Sequence, residues 1–217
     1  MINVSPDEKL EINNTALLLI DFQKDFCQKG GYADQCVGLD WVLPILPNTK
    51  KLLEKSRELG LTIIFTKENY SSDLSDCPSL RLIKSQNAGA KYGDNGPLGR
   101  FMIRGEKGND ILDELYPLEG EIVLNKSSYG TFLTTNIEEI LTKKGIRNIA
   151  IAGVTADVCV HTTLREATDR GYNCFYLKDV ISAFNPKIRE ACELMVEEEG
   201  GVWGHLITSE EFIKKFI

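Results

Sequence analysis

Three residues able to share one hydrolytic reaction follow three separate apolar runs of the chain. Asp21 comes directly after the run ALLLI, Lys126 comes directly after EIVLN, and Cys159 lies in the stretch VTADVCV that follows IAIAG. Ligands of a parallel α/β sheet bind beyond the carboxyl ends of its strands. If the three runs are neighbouring strands, an acid, a base and a thiol therefore meet at one edge of the sheet.

Together these three side chains make a working nucleophilic unit. A thiol attacks only after losing its proton, and we expect the Lys126 ammonium and the positive end of the following helix to favour a thiolate at Cys159. Asp21 then takes the thiol proton and passes it to a leaving amine. The backbone N–H groups of the Thr155–Cys159 turn are placed to hold an oxyanion. The pattern predicts a metal-independent cysteine hydrolase.

Short apolar runs alternate with helical patterns that stop at glycine, which is typical of strand–helix–strand units. The sequence predicts an α/β fold with a parallel sheet between helices. The predicted strands are Ala16–Ile20, Thr62–Thr66, Glu121–Leu124, Asn148–Ala152, Cys174–Leu177 and His205–Thr208. The predicted helices are Asn48–Leu59, Thr134–Lys144, Val160–Arg170, Lys187–Glu199 and Ser209–Phe216, the last with Ser209 as its N-cap.

One long stretch, Lys67–Gly108, has little periodicity and is rich in Gly, Asp, Ser and Asn. A loop of this length inside a compact domain is usually functional. We expect residues 1–217 to form a single domain in which residues 67–108 serve as a lid or a subunit contact. Five side chains of this stretch are expected to pack on the domain: Tyr70, Leu80, Leu82, Tyr92 and Phe101.

The composition excludes several classes of protein. The net charge is −7 and no basic cluster occurs, which argues against a nucleic-acid partner. The N-terminal residues lack the apolar run of a signal peptide, and the longest apolar stretch is too short for a membrane span. The six cysteines form no C-x-x-C pair. We therefore expect a reduced, cytoplasmic protein without disulfides or membrane contact.

The segments ALLLIDFQKDFC, EIVLNKSSYGTF and IAIAGVTADVCVHTTLREATDRGY resemble the isochorismatase-like cysteine hydrolase superfamily. The resemblance extends over nearly the full length. It implies a three-layer α/β/α fold with a six-stranded parallel sheet, and it gives Asp21, Lys126 and Cys159 the roles of a catalytic triad. It also implies a cis peptide between Val154 and Thr155, an oxyanion hole made by the amides of Thr155 and Cys159, and a homo-oligomer, either a dimer or a tetramer.

Within that superfamily, nicotinamidases carry an Asp and two His as a metal site after the second strand. The corresponding segment here, IIFTKENYSSDLSDC, has no histidine, so we expect neither a metal nor any other cofactor. The middle of the chain resembles the biuret hydrolase and ureidoacrylate amidohydrolase side of the superfamily. That likeness implies a hydrolase that cuts the C–N bond of a small linear amide or ureide through a thioester intermediate.

Candidate pocket residues are Phe26, Tyr129, Val154 and Glu199, the last standing where the biuret-hydrolase-like group has Gln. A carboxylate accepts hydrogen bonds but donates none when ionised. If Glu199 reaches the pocket, the substrate offers an extra N–H or a positive charge; otherwise Glu199 is a solvated end of an acidic helix. Two alternatives stay open: a vinyl-ether hydrolase of the isochorismatase type, and a non-catalytic relative that binds a small molecule.

Overall fold

A computed structural model describes residues 9–216 of the chain. The first eight residues, to which part of the signal-peptide prediction refers, lie outside the described residues. The strands, in chain order, are β1 Thr15–Ile20, β2 Thr62–Glu68, β3 Asn95–Gly96, β4 Gly99–Arg100, β5 Ile122–Lys126, β6 Asn148–Val154, β7 Asn173–Ser182 and β8 His205–Ile207. The helices are α1 Lys24–Cys27, α2 Tyr32–Val37, α3 Leu46–Leu59, α4 Ser79–Asn87, α5 Ile137–Lys143, α6 His161–Asp169, α7 Pro186–Gly201 and α8 Ser209–Lys214.

Six strands form one sheet in the order β5-β2-β1-β6-β7-β8, and every neighbouring pair is parallel. β3 and β4 form a separate small hairpin. The predicted six-stranded parallel sheet between helices is confirmed. Because β1 lies between β2 and β6 at the centre, its carboxyl end meets the ends of both neighbours, and β5 adjoins β2.

Both faces of the central strand are buried, which explains its unbroken apolar sequence. All six residues of β1 are buried. Leu17 and Leu19 belong to one core cluster, whereas Ala16, Leu18 and Ile20 belong to the other. Each fully buried Leu or Ile contributes about 1.5–3 kcal/mol to folding relative to an exposed position. Because successive side chains of β1 point to opposite faces, they pack against the helical layers on both sides of the sheet.

The helix ends follow the glycine pattern of the sequence. Gly60, Gly145 and Gly171 all have positive φ after α3, α5 and α6, so each leaves its helix in the left-handed conformation that glycine tolerates best. One end was predicted wrongly: the N-cap of α8 is Thr208, not Ser209. Thr208 and Glu211 form a reciprocal capping box. The Ser209 hydroxyl instead donates to Asp179.

The stretch 67–108 is more regular than its composition predicts. β2 continues to Glu68, and α4 and the β3–β4 hairpin follow within the stretch. Tyr70, Tyr92 and Phe101 are buried in the core, as expected, but Leu80 is 59% exposed. Leu80 stays outside because α4 lies on the surface and buries only Ser85. The role of this stretch as a lid or subunit contact stays a prediction.

Candidate active site

The ends of β1 and β5 place an ion pair in the interior. The Lys126 Nζ lies 2.7 Å from Asp21 Oδ2, and neither side chain is exposed to solvent. The other carboxylate oxygen of Asp21 accepts a hydrogen bond of 2.6 Å from the Thr66 hydroxyl on β2. Asp21 itself has a φ of +55°, a left-handed conformation that is uncommon outside glycine and concentrates at functional sites. Both oxygens of Asp21 are thus held in fixed positions.

Cys159 completes the arrangement from the other side of β1. It lies in a single π-helical turn, Ala156–Val160, which connects β6 to α6. Such turns are rare and frequently occur at functional sites. The sulfur of Cys159 is 3.4 Å from Lys126 Nζ, which also donates to the carbonyl oxygen of Ser128 at 3.1 Å. The structure therefore brings Asp21, Lys126 and Cys159 together, as the sequence predicts.

A fourth charged residue, Glu68, stands beside the thiol, and our sequence reasoning missed it. The Cys159 thiol donates to Glu68 Oε2 at 3.3 Å, and the Tyr70 hydroxyl donates to Glu68 Oε1 at 2.6 Å. Glu68 is the last residue of β2, a strand that extends two residues beyond its predicted end. The strand-end rule that pointed to Asp21 would have found Glu68 if that boundary had been placed correctly.

The burial of Cys159 and its neighbouring charges disfavour the thiolate form that we expected from the sequence. Burial raises the pKa of Cys159 well above its ordinary value, and the carboxylates of Asp21 and Glu68 raise it further, while Lys126 alone lowers it. Cys159 is therefore a neutral thiol at rest. Burial likewise raises the pKa of Glu68, with Lys126 opposing. For Lys126, burial lowers the pKa, but the interaction with the Asp21 carboxylate raises it, and the net direction is upward.

The thiol opens into a cavity of about 190 Å³. Among the predicted site residues, Phe26, Tyr129, Thr155 and Cys159 line this cavity. The remaining lining residues are Tyr32, Glu68, Arg81, Lys84, Ser85, Ala88, Tyr92, Val158 and Phe184. Most of the last group come from α4 and its surroundings. The long middle stretch of the chain therefore supplies one wall.

Two predicted pocket residues do not line the cavity. Val154 is the last residue of β6 and is buried, with 1% of its surface exposed. Glu199 is exposed, so the prediction that it reaches the pocket is wrong. The reason is the backbone: regular helix ends before Glu198, and Glu199 and Gly200 adopt left-handed conformations that turn the acidic end of α7 outward. The solvated interpretation of Glu199 is the one that the structure supports.

Arg81 fixes the α4 wall to the rest of the site. Its guanidinium donates to the Tyr70 hydroxyl at 2.8 Å and to the carbonyl oxygen of Ser127 at 2.7 Å. It also lies 4.0 Å from the centre of the Tyr129 ring, a cation–π distance. Arg81 is thus connected to the thiol through Tyr70 and Glu68. Arg81 therefore joins α4 to the segment after β5.

The backbone around the thiol agrees with the resemblance. The peptide between Val154 and Thr155 is cis, as the resemblance implies. Beyond this geometry, the sequence pattern of the isochorismatase domain matches residues 15–210. The chain belongs to the isochorismatase family.

Relatives of this isochorismatase-family chain include two ureidoacrylate amidohydrolases. That of Rhizobium rhizogenes is 29% identical over 209 residues, covering 94% of this chain and 83% of the relative. That of Agrobacterium fabrum is also 29% identical over 209 residues, covering 94% of this chain and 90% of the relative. Amidohydrolases cleave carbon–nitrogen bonds, and with the family assignment these matches identify the chain as a hydrolase.

Solved structures share the fold of this family member at lower identity. A cysteine hydrolase from Pseudomonas syringae pv. phaseolicola superposes with a TM-score of 0.81 at 20% identity, covering 96% of this chain and 94% of that one. An N-carbamoylsarcosine amidase from Thermoplasma acidophilum superposes with a TM-score of 0.70 at 23% identity, covering 91% and 97%. At these identities the likeness shows the fold alone. Among residues 9–216, no helix is both long and apolar enough to cross a bilayer.

One group of side chains in this family member has the spacing of metal ligands. Single ligand atoms of Asp21, Glu68 and Cys159 lie within 4.8 Å of one another. The Lys126 ammonium contacts all three residues, so it supplies the positive charge that the group requires. Both histidines are engaged elsewhere, one with the carbonyl oxygen of Cys192 and the other with Asn173. A metal-free site stays a prediction.

Proposed function

We propose that this protein is a cysteine-dependent amidohydrolase that cleaves the C–N bond of a small linear amide or ureide through a thioester intermediate. The observation that carries the proposal is the position of the Cys159 sulfur. It lines the cavity and at the same time lies 3.4 Å from the ammonium of Lys126, which is paired with Asp21. A thiol that borders a cavity and has a lysine ammonium beside it can act as the nucleophile in catalysis.

The reaction begins when the sulfur attacks the substrate carbonyl carbon. Thr155 precedes the π-helical turn and Cys159 lies within it; both line the cavity, where their backbone N–H groups can stabilise the oxyanion of the tetrahedral intermediate. The Lys126 ammonium stabilises the negative charge that develops on sulfur whenever the thiol proton leaves. Collapse of the intermediate releases the amine and leaves the acyl group on sulfur. Water then hydrolyses the thioester.

The cavity limits the size and the charge of the substrate. At about 190 Å³ it is smaller than the 300–1,000 Å³ of sites that hold drug-sized ligands. This favours a short linear molecule over the bulky ring of a vinyl-ether substrate. Arg81 and Lys84 both line the cavity, and the two cations suit a substrate with an anionic end. A ureido acid of the ureidoacrylate type meets both requirements, and the two ureidoacrylate amidohydrolase relatives support it.

A turnover assay on a panel of small amides tests the proposal. Ureidoacrylate, biuret, ureido acids of other chain lengths, nicotinamide and simple aliphatic amides are incubated with the wild type and with Cys159→Ser. Cys192→Ser is the matched control, because Cys192 is buried on α7 and does not line the cavity. We expect ammonia release from a ureido compound with the wild type and the control only. Equal turnover by Cys159→Ser would exclude the cysteine mechanism.

Acid quenching of the same reaction followed by mass spectrometry looks for the thioester. We expect the acyl mass on the peptide that contains Cys159. If the folded wild type releases no ammonia from any compound of the panel, a vinyl-ether substrate or a non-catalytic binding role would be favoured instead.

We further propose that the protein is cytoplasmic and forms a homo-oligomer. The six cysteines are free thiols, which supports a reducing compartment. Three apolar side chains are more than half exposed: Leu80 and Ile83 on α4 and Leu194 on α7. Exposed apolar side chains of this kind are suited to a contact between subunits. Light scattering on the purified protein tests the second point, and a monomer at micromolar concentration would contradict it.

A further inference from the structure

Two acidic side chains stand beside the thiol at the buried end of the cavity. Single oxygen atoms of Asp21 and Glu68 and the sulfur of Cys159 lie within 4.8 Å of one another. The Lys126 ammonium is paired with Asp21 at 2.7 Å and lies 3.9 Å from Glu68. Because one ammonium offsets one carboxylate charge at most, this end of the cavity disfavours the carboxylate of a substrate.

Another wall of the cavity is one face of α4, and this face carries two cations. Residues three, four and seven positions apart lie on the same face of a helix. Four residues with this spacing line the cavity: Arg81, Lys84, Ser85 and, at the end of the helix, Ala88. Arg81 connects this face to the buried end, because it donates to the Tyr70 hydroxyl at 2.8 Å and that hydroxyl donates to Glu68 at 2.6 Å. Lys84 lies one helical turn farther along the same wall.

The two cations of this wall differ in how far the protein already engages them. The Arg81 guanidinium donates to Tyr70 and, at 2.7 Å, to the carbonyl oxygen of Ser127, and it lies 4.0 Å from the centre of the Tyr129 ring. Lys84 is exposed, and its ammonium has no ion pair or hydrogen bond within the part of the chain that the structure describes. The charge of Lys84 is therefore available to a ligand that enters the cavity.

We propose that Lys84 determines the specificity of this site by binding the carboxylate of a ureido acid at the exposed end of the cavity, while the ureido carbonyl lies at Cys159. This inference rests on the amidohydrolase function proposed above and deepens it by assigning the anionic end of the substrate to one side chain. The charges of the walls also fix the orientation of such a substrate. The reverse orientation would place its carboxylate beside Asp21 and Glu68.

A lysine at this position affects substrate binding rather than the chemical step. Its ammonium is a compact charge on a flexible four-carbon stem, so it can follow the carboxylates of ureido acids that differ in length. A hydrogen bond between two charged groups is stronger than one between neutral groups. The carboxylate keeps its charge while the distant C–N bond breaks, so Lys84 stabilises the bound substrate and the transition state equally. Such uniform binding lowers KM and leaves kcat unchanged.

Steady-state kinetics of Lys84→Met on an anionic and a neutral substrate test the inference. Ureidoacrylate is the anionic substrate, and propylurea has a chain of the same length without the carboxylate. We expect KM for ureidoacrylate to rise about tenfold, the effect of losing one charge-assisted hydrogen bond, with kcat changed less than about twofold. KM for propylurea should stay within about twofold of the wild type. Lys84→Arg keeps the charge and should keep KM for ureidoacrylate within about threefold. Lys50→Met, at an exposed position of α3 away from the cavity, is the matched control.

Reversing the charge and adding salt provide two further measurements. Lys84→Glu should turn the preference toward a substrate with a cationic end, so the ratio of kcat/KM for aminoethylurea to that for ureidoacrylate should rise at least about tenfold. Raising NaCl from about 0.05 M to about 0.5 M should raise KM for ureidoacrylate in the wild type, because salt screens the contact, and should change it less in Lys84→Met. An equal salt dependence in both proteins would contradict the assignment.

Three results of the kinetics would overturn the inference. They are an unchanged KM for ureidoacrylate in Lys84→Met, which leaves the anion to Arg81, an equal rise of KM for both substrates, and an equal rise in Lys50→Met.

Binding of ureidoacrylate to Cys159→Ser, measured by calorimetry, separates this inference from the proposed function. Adding Lys84→Met to that variant should raise Kd about tenfold, and an unchanged Kd overturns the role of Lys84 alone. If Cys159→Ser instead keeps wild-type turnover, the proposed cysteine mechanism fails, while the change in Kd still reports on Lys84.

Discussion

The Lys126 ammonium and the Asp21 carboxylate form an ion pair of 2.7 Å with no exposed surface on either side chain. Removing one partner of such a pair leaves an uncompensated buried charge, which costs about 3–5 kcal/mol. We therefore expect Lys126→Met to lower the free energy of unfolding by about that amount, measured by urea denaturation, and to abolish turnover.

Two further variants separate charge from packing in this prediction. Asp21→Asn combined with Lys126→Met should recover part of the stability and none of the activity. Lys143→Met breaks an exposed pair with Glu139 and should cost less than about 0.5 kcal/mol. Lys126→Met with wild-type stability would show that the buried pair contributes little to folding.

The protonated state of Cys159 has a measurable consequence for its alkylation. Because burial and two carboxylates raise its pKa well above the ordinary value, only a small fraction is thiolate near neutrality. We expect the rate of labelling of Cys159 by iodoacetamide to rise about tenfold per pH unit between pH 7 and pH 9. Peptide mass spectrometry follows the reaction, and a rate that is flat with pH over this range would indicate a thiolate already present at rest.

Gly153 permits the close approach of β6 to β1 directly beside Asp21. Its φ is +147°, and a Cβ at this position would overlap the carbonyl oxygen of Ile20. We expect Gly153→Ala to destabilise the fold by more than about 2 kcal/mol and to reduce turnover, because the displaced β1 end carries Asp21. Gly145→Ala is the control. Gly145 also has positive φ, but nothing lies within 4 Å of the added Cβ. We therefore expect Gly145→Ala to lower the free energy of unfolding by only about 1 kcal/mol. Equal losses in both variants would disprove the overlap.

Asp25 should make the stability depend on pH in an unusual direction. Burial raises the pKa of its carboxyl to about 6 from an ordinary 3.8, although the Met102 N–H donates to it. The folded state therefore binds a proton more tightly than the unfolded state, and stability falls as the pH rises from about 4 to 6. The loss contributed by this group is about 3 kcal/mol.

Urea denaturation of the wild type and of Asp25→Asn at several pH values tests this. The difference in unfolding free energy between the two proteins should change by about 2.4 kcal/mol between pH 4 and pH 7. Glu54→Gln, at an exposed position of α3, should leave the pH dependence as in the wild type. A constant difference across the range would show that Asp25 is not responsible.

Local patterns in the sequence determined the fold and the triad. An unbroken apolar run such as ALLLI is typical of a strand buried on both faces, and helices that stop at glycine between such runs indicate parallel pairing. Parallel pairing brings all strand carboxyl ends to one edge, which favours a meeting of Asp21, Lys126 and Cys159. The strand order β5-β2-β1-β6, which the residue pattern left open, decided that the three side chains are close enough to interact.

Tertiary structure alone decided how these groups behave. Whether Glu68 belongs to the site depended on two extra residues of β2, which are set by pairing with β5 rather than by local sequence. The neutral thiol results from burial beside two carboxylates, and burial is a property of the packed core. Glu199 lies outside because the end of α7 turns into left-handed conformations. Local pattern fixes where a side chain leaves the backbone, whereas its surroundings, and hence its chemistry, come from parts of the chain that are distant in sequence.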